Sequence, residues 1–304
     1  MENTVAEISA QKVKELREKT GAGMMECKKA LTEAGGDMEK AIEILRTRGL
    51  AAAAKKSSRS TKQGLIGYHL APGGQLAVLA EVNCESDFVA RTDDFQNLVA
   101  ELIDHVAAKA PKHVAELLEQ PHQKDPSVTV SQYIAGKIAK VGENMGVARF
   151  ERLVAGGPSH CVSIYIHPGA QLGVAVEMVA GKPETLARPE FKELAHDIAM
   201  QVAAADPKFL AKADVTADAL EKEKRIQRER ALAEGKPEKM VDKIVEGRMG
   251  KFYEEFCLTE QIYIKDNGLT ITQLLAQKGK ELGDAVSVAR FVRMKVGETA
   301  TDSQ

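Results

Sequence analysis

The sequence predicts an α+β protein with a duplicated core, and three observations support this prediction. Residues 72–78 (PGGQLAV) recur as residues 168–174 (PGAQLGV), 96 positions later. An apolar pattern of helical period fills residues 9–49, ahead of the first copy. A long charged segment of helical character lies inside the second copy. We therefore expect an N-terminal three-helix module, a duplicated core of antiparallel sheet and helix, and an inserted antiparallel helical hairpin.

The N-terminal segment, residues 1–54, is predicted to form the three-helix module. Asp37 is a natural N-cap for the third helix, and Gly49 is expected to end that helix. The predicted apolar stripes are Val13 and Leu16 in the first helix, Met24, Cys27 and Leu31 in the second, and Met38, Ala41 and Leu45 in the third.

Residues 55–63 are predicted to be a linker, because they are small and basic and show no apolar periodicity. A phosphate-binding arm is the alternative interpretation, since a run of Lys and Arg can neutralise phosphates. The sequence leaves both interpretations open.

Each copy of the repeat reads as strand, Pro-Gly turn, strand, loop and helix. In the first copy, strands at residues 65–70 and 76–82 are followed by a helix at about residues 94–109. Residues 147–153 (VARFERL) return as residues 288–294 (VARFVRM) at an offset of 141, so the second copy contains 45 additional residues. The predicted subdomains are residues 64–155 for copy one, residues 156–210 with 259–297 for copy two, and a tail of residues 298–304.

The additional residues are assigned to a helical hairpin at residues 211–258. Its first helix is rich in Glu, Lys and Arg and places Ala219, Ile226 and Ala233 seven residues apart. Residues 235–237 (GKP) form the turn. The second helix carries an apolar stripe of Val241, Val245, Met249 and Phe252. Both a solvated surface hairpin and an arm for dimerisation or docking fit this pattern.

Composition narrows the classes of function. The chain has 42 basic and 44 acidic residues, a net charge of −2, so no global charge drives it toward nucleic acid or a membrane surface. It contains no run of about 20 apolar residues and no basic, apolar leader at the start, so we expect a cytoplasmic location and no membrane contact. The four cysteines form no Cys-x-x-Cys pair, and His160, Cys161 and His167 match no usual metal motif. Neither a metal nor a cofactor is expected.

The sequence lacks three motifs that are typical of enzymes. Residues 21–29 (GAGMMECKK) lack a glycine that phosphate loops and dinucleotide-binding loops require. The chain contains no Gly-x-Ser-x-Gly. We therefore expect a binding protein and not an enzyme.

The two copies differ most between the second strand and the helix, where residues 83–91 (NCESDFVAR) correspond to residues 179–187 (VAGKPETLA). Phe88 lies in this polar loop, either as an interface anchor or as a plug of the core beneath its own helix, with Asp87 capping a helical turn. Met24 and Met25 are adjacent on a helix and cannot both point fully inward. His167 precedes the Pro-Gly turn of copy two, as a structural residue or a contact residue.

Two long segments resemble signature sequences of the translation elongation factor Ts family. They are residues 16–31 (LREKTGAGMMECKKAL) and residues 81–90 (EVNCESDFVA), and residues 235–237 and 245–249 are similar to the family's hairpin. The resemblance extends from about residue 5 to residue 297. It implies a UBA-like fold for the N-terminal module and a coiled coil for the hairpin.

The resemblance also implies a function, guanine-nucleotide exchange on elongation factor Tu during translation elongation. In the family, one segment enters the GTPase near its magnesium site and dislodges the ion. Here that segment is Ser86, Asp87, Phe88 and Val89, with Ser86 where the family usually has Thr. Arg17, Met24 and Met25 match partner-contact positions, and His167 matches the histidine that presses on the phosphate-binding side.

The implied partner is elongation factor Tu in its GDP-bound and nucleotide-free forms. A homodimer or a 2:2 complex through the hairpin at residues 211–258 is a further expectation, and direct nucleic-acid contact is not expected. The rival prediction is a ribosome- or RNA-binding accessory protein that uses the basic linker.

Overall fold

The chain is a mixture of helices and antiparallel strands, which confirms the predicted α+β class. The computed structural model describes residues 8–298, so residues 1–7 of the predicted module and residues 299–304 of the predicted tail lie outside the described residues. Three helices come first: α1 Ala10–Thr20, α2 Met24–Glu33 and α3 Met38–Ala54. They enclose a small core of Val13, Leu16, Cys27, Ala30, Leu31 and Ala41.

Two predictions for this module are wrong. Met24 is not a core residue, because 58% of its surface is exposed. Helix α3 does not end at Gly49 but continues to Ala54. Gly49 is buried against the backbone of Ala135, so packing between helices overrides the weak helix propensity of glycine. The N-cap prediction for Asp37 is confirmed, since its carboxylate accepts hydrogen bonds from two backbone N–H groups.

Copy one and copy two each build a three-stranded antiparallel sheet with helices on one face. The elements of copy one are β1 Gln63–Leu70, β2 Leu76–Cys84, α4 Asp87–Ala90, α5 Asp93–Lys109, α6 Val114–Glu119, α7 Val130–Val141 and β3 Met145–Val154. Those of copy two are β4 His160–Ile166, β5 Leu172–Ala180, α8 Pro189–Ala205, β6 Ile262–Tyr263, β7 Asp266–Thr270, α11 Ile271–Leu282 and β8 Val286–Lys295. The strand orders are β1-β2-β3 and β4-β5-β8, and β6 pairs with β7 in a small ribbon.

The two sheets pack face to face, so the core has four layers in the order helix, sheet, sheet, helix. Successive side chains of β2 point to opposite faces of the sheet, which explains the layering. Val78 and Ala80 face α5 and α7, whereas Ala77 and Leu79 face the other sheet. The layer between the sheets contains pairs of repeat-related residues, since Ile66, Leu79 and Leu153 of copy one meet Val162, Ala175 and Met294 of copy two.

Equivalent hydrogen bonds fasten the two copies to each other in both directions. Gln75 donates its side-chain N–H to the carbonyl of His160 at 3.2 Å. Its repeat counterpart Gln171 donates to the carbonyl of Gly64 at 2.7 Å. The duplicated core is therefore held by a nearly twofold arrangement in which each copy contributes the same groups.

The inserted segment forms two antiparallel helices in contact, α9 Ala217–Ala233 and α10 Glu238–Phe256. Val241 and Met249 of the predicted α10 stripe are buried. The predicted α9 stripe is wrong, because Ile226 is 43% exposed and Ala231 is the buried residue. At the surface of the hairpin, an ion pair joins the two helices, with Arg228 of α9 2.5 Å from Asp242 of α10.

Candidate functional site

Phe88 lies at the surface of a short helix and does not plug the core. β2 ends at Cys84, and α4 begins at Asp87. Ser86 is the N-cap, and its hydroxyl accepts a hydrogen bond from the backbone N–H of Val89 at 3.3 Å. Phe88 is 80% exposed, the most exposed large apolar side chain among residues 8–298. Val89 and Ala90 pack against the core beneath, so α4 presents one aromatic ring on a fixed base.

Three polar side chains fix the loop before α4. Glu143, in the turn between α7 and β3, accepts hydrogen bonds from the backbone N–H of Ser86 at 3.0 Å and from its hydroxyl at 2.6 Å. Glu85 accepts a hydrogen bond from the backbone N–H of Asn144 at 2.6 Å. Asn144 in turn donates its side-chain N–H to the carbonyl of Arg59 at 3.0 Å. The segment carrying Phe88 is thus tied to two other parts of the chain.

Asp87 is accessible beside Phe88. Its carboxylate accepts a hydrogen bond from the guanidinium of Arg91 at 2.8 Å, and both side chains are about half exposed or more. An exposed ion pair of this kind contributes roughly 0–1 kcal/mol. Ser86, not Asp87, caps the helical turn. The carboxylate of Asp87 is therefore free to exchange Arg91 for a group on a binding partner.

A broad groove separates α4 from the Pro-Gly turn of copy two. Its volume is about 1280 Å³. One wall is formed by Asp87, Arg91 and α5, the floor includes Tyr68 of the edge strand β1, and the other wall is the turn at residues 169–171. Enclosed small-molecule pockets commonly measure about 300–1,000 Å³, so this open groove suits a segment of a protein.

His167 stands at the start of that same turn. It is exposed and follows β4 directly. Its carbonyl accepts a hydrogen bond from the N–H of Ala170 at 2.9 Å, and its Nδ1 lies 3.0 Å from the hydroxyl of Tyr165. Ala170 adopts a positive φ of 52° and accepts a hydrogen bond from the N–H of Ile66 in β1 at 2.7 Å. The turn is therefore tied to the strand that forms the groove floor.

The three predicted contact residues of the N-terminal module flank one glycine turn. Arg17 lies in the last turn of α1, and Gly21 caps that helix with a left-handed φ of 66°. Met24 and Met25 begin α2, and both are exposed, Met25 by 65%. The prediction that the two methionines cannot both point inward is confirmed, and neither of them does. Two adjacent exposed methionines form an adaptable apolar contact surface.

The module is coupled to the Phe88 region through α7. Helix α3 packs along α7, and the guanidinium of Arg46 donates a hydrogen bond to the hydroxyl of Ser127, just before α7, at 2.7 Å. The opposite end of α7 leads into the turn with Glu143. One helix thus connects the base of the N-terminal module to the base of α4.

The backbone of the basic segment at residues 55–63 is anchored to the core, although most of its side chains are exposed. Arg59 lies 3.4 Å from Glu85. Asn144 contacts the carbonyls of Ser57 and Arg59, and the side chain of Asn83 donates to the carbonyl of Thr61 at 3.1 Å. The segment therefore helps to hold the base of α4, a role for which its sequence gave no signal.

Among residues 8–298, no group of three His, Cys, Asp or Glu side chains could hold a metal ion. The Nδ1 atom of His160 instead forms a hydrogen bond with the carboxylate of Glu177 at 2.8 Å. No helix within this same range is both long and apolar enough to cross a membrane.

Sequence reasoning missed Glu143 and Asn144, although a signal was present. Gly142 and Gly283 end α7 and α11 in the same left-handed conformation, 141 positions apart, and a carboxylate residue follows each of them. Extending the second repeat offset backwards from residue 147 would have identified this pair.

Comparisons with known proteins agree with one another. The family model described as "Elongation factor TS" matches residues 85–298. Elongation factor Ts of Clostridium kluyveri is 49% identical over 96% of this chain and 93% of its own length. Those of Clostridium novyi and Trichlorobacter lovleyi are 47% and 43% identical over the same shares.

Proposed function

The chain belongs to the elongation factor Ts family of translation elongation factors, and we propose that it is the guanine-nucleotide exchange factor of elongation factor Tu. The observation that carries the proposal is Phe88, an aromatic ring 80% exposed on a fixed base. A large apolar group held in water has an unfavourable hydration free energy, which burial in a partner recovers. It therefore suits insertion into another protein.

The proposed action of this site is to weaken the partner's hold on Mg²⁺ and GDP. Phe88 would enter the GTPase as a wedge near its magnesium site, and Asp87 would place a carboxylate beside the ion's ligands. Mg²⁺ requires near-ideal octahedral geometry, so a small displacement of its ligands lowers its affinity. Once the ion leaves, the negative charge of the diphosphate is unscreened, and GDP binds less tightly.

The remaining candidate residues would supply docking contacts. Arg17, Met24 and Met25 form one exposed surface on the N-terminal module. His167 lies across the groove from α4, where it would contact the phosphate-binding side of the GTPase. The groove between α4 and the turn at residues 169–171 is wide and open enough to accept a segment of the partner. The hairpin α9–α10 stays a candidate for dimerisation or docking.

Binding of the factor and binding of GDP to the GTPase must weaken each other, because the two equilibria are thermodynamically linked. If the factor lowers the affinity of the GTPase for GDP, then GDP must lower the affinity for the factor by the same free energy, about 1.4 kcal/mol for each tenfold change. The factor needs neither a nucleotide site nor a reacting group of its own for this action. RNA binding through residues 55–63, the rival function, stays a prediction; in that segment Arg59 pairs with Glu85, and Asn144 holds the carbonyls of Ser57 and Arg59.

Release of labelled GDP from elongation factor Tu tests the proposal. We expect Phe88→Ala to slow release at limiting factor by roughly 30-fold or more, as for a central interface anchor worth about 2 kcal/mol. Asp87→Ala should slow it less, by about tenfold. Ile262→Ala is a matched control, because Ile262 is also a largely exposed apolar residue, 55%, but lies on β6. Release that is equally fast with wild type and Phe88→Ala would refute the wedge.

A further inference from the structure

Glu143 is the most direct restraint on the segment that carries Phe88. Both of its carboxylate oxygens are used on one residue, since Ser86 donates its backbone N–H to one oxygen and its hydroxyl to the other. The same hydroxyl oxygen accepts the N–H of Val89 and so begins α4. Glu143 therefore orients the N-cap of the helix whose second residue is Phe88.

Copy two contains an equivalent carboxylate that holds the turn after its central strand, but that turn exposes no aromatic ring. Asp284 occupies the position 141 residues after Glu143. Its carboxylate accepts the backbone N–H of Lys182 at 2.9 Å and the hydroxyl of Thr185 at 2.6 Å, and Lys182 is the repeat counterpart of Ser86. A carboxylate after a glycine C-cap thus fastens the turn after the central strand in both copies.

The fastened turns differ in what they present to solvent. In copy one the turn is the helix Asp87–Ala90, with Phe88 exposed. In copy two it is a short 3-10 helix, Pro183–Ala187, where Glu184 stands at the position of Phe88. The two copies can therefore be compared directly. The carboxylate clamp of copy one, Glu143, holds a turn that exposes an aromatic ring, and the carboxylate clamp of copy two, Asp284, holds a turn that exposes a charged side chain.

We propose that Glu143 is a positioning residue for nucleotide exchange, which holds Phe88 in its inserting orientation before the partner binds. This inference rests on the proposed function. A segment that is already ordered does not lose conformational entropy on binding, so more of the free energy of inserting the ring is available to displace Mg²⁺. Glu143 itself touches neither ion nor nucleotide in this role.

Five variants of the full-length chain separate positioning from general stability. Glu143→Ala removes both hydrogen bonds, whereas Glu143→Gln keeps an acceptor for one and a donor for the hydroxyl of Ser86. Asp284→Ala removes the equivalent clamp from copy two. Phe88→Ala, alone and combined with Glu143→Ala, removes the ring on which Glu143 is proposed to act.

We expect Glu143→Ala to slow GDP release roughly tenfold and to speed amide hydrogen exchange at Val89 and Ala90 in the free protein. Glu143→Gln should restore most of both properties. Asp284→Ala should lower the melting temperature but leave GDP release unchanged. In the double variant, Glu143→Ala should add nothing to the effect of Phe88→Ala, since it acts through that ring.

Two results would overturn the inference. One is an equal loss of exchange activity in Asp284→Ala and Glu143→Ala, which would indicate a general effect on the fold. The other is unchanged GDP release in Glu143→Ala while Phe88→Ala is slow. If Phe88→Ala itself releases GDP at the wild-type rate, the failure lies in the proposed wedge, so the two failures are distinguishable.

Discussion

Single residues decide what this molecule presents to a partner, and their exposure was the hardest property to predict from sequence. Phe88 and the core residue Phe95 are seven positions apart, yet one is 80% and the other 1% exposed. Composition and apolar periodicity could not predict which of the two side chains is exposed. Helix α4 spans only Asp87–Ala90, which is too short to show a helical repeat. The divergence between the two copies identified the loop and its one aromatic residue, Phe88. The resemblance to a family then favoured an interface anchor over a core plug.

Buried carboxylates are a second feature of this scale. Glu81 and Glu177 are repeat counterparts on the central strands, and both are almost fully buried. Glu177 pairs with Arg290 at 2.6 Å, and Arg290 also donates to the carbonyl of Val154 in the other copy. Glu81 pairs with Arg149 at 2.9 Å, and Arg149 donates to the carbonyl of Lys295 in the other copy. Each ion pair therefore joins the two copies.

We expect Glu177→Gln to destabilise the protein by about 3 kcal/mol at neutral pH, the lower end for breaking a buried pair because Arg290 is half exposed. Burial raises the pKa of the Glu177 carboxyl, but Arg290, the N–H of Gly156 and His160 outweigh it, so the pKa lies below its usual range. A lowered folded-state pKa stabilises above the unfolded value, about 4.3, and this stabilisation is lost as pH falls through the folded pKa.

Urea unfolding of wild type and Glu177→Gln near pH 7 and below pH 4 measures this effect. The difference between the two proteins should shrink at the lower pH. Glu246→Gln, at an exposed position on α10, is the control and should be close to neutral. A cost that is the same at both pH values would show that the carboxylate's charge is not the stabilising factor.

At the scale of elements, the sequence predicted the helices and strands well where local signals agree with packing. The strands of copy one and helix α5 lie within one or two residues of their predicted positions. The failures arise where tertiary contacts override local preference. Helix α3 runs through Gly49 because it packs on α7, and in α9, which packs on α10, the buried residue is Ala231 and not Ile226.

Two buried glycines with opposite surroundings provide a prediction at this scale. A methyl group on Gly49 would meet its nearest neighbours at 3.8 Å, which is ordinary contact. We expect Gly49→Ala to stabilise the protein by about 0.5–1 kcal/mol, because alanine loses less backbone entropy in a helix. A methyl group on Gly67 of β1 would lie 2.5 Å from Val99 of α5, so Gly67→Ala should destabilise by about 1–3 kcal/mol.

The melting temperatures of these two variants are the measurement, and each serves as the control for the other. An increase for Gly49→Ala and a decrease for Gly67→Ala are expected. A decrease for both would mean that α3 and α7 have no room for a methyl group, contrary to the distances at Gly49.

At the scale of the whole molecule, the duplication was visible in the sequence but its consequence was not. The offsets of 96 and 141 residues predicted two copies and an insertion. They could not predict that the copies would pack sheet to sheet, because hydrogen bonds such as Gln75 to His160 join residues 85 positions apart. Periodicity reports which face of a strand is apolar, not which other sheet covers that face.

Comparing the two halves across the whole chain reveals an asymmetry in titratable groups. In copy two, buried Gln201 bonds to Gln261 at 3.1 Å, and Tyr263 bonds to Asp197 at 2.5 Å. In copy one, the positions of Gln201 and Tyr263 hold His105 and His122, both buried and stacked 6.2 Å apart. The Nδ1 atoms of both histidines lack a hydrogen-bond partner. Copy one therefore contains buried imidazole rings where copy two contains an amide and a phenol.

Burial lowers the pKa of His122, an effect that outweighs the attraction of Glu101 and Asp125. The unfolded chain then binds a proton more readily than the folded one, so stability is complete above the unfolded value of about 6.5 and is lost as pH falls below it. The loss can reach about 1.4 kcal/mol per pH unit for one histidine. We expect His122→Gln to unfold in urea with a flatter dependence on pH between about 7.5 and 5.5. An unchanged slope in His122→Gln would contradict the assignment.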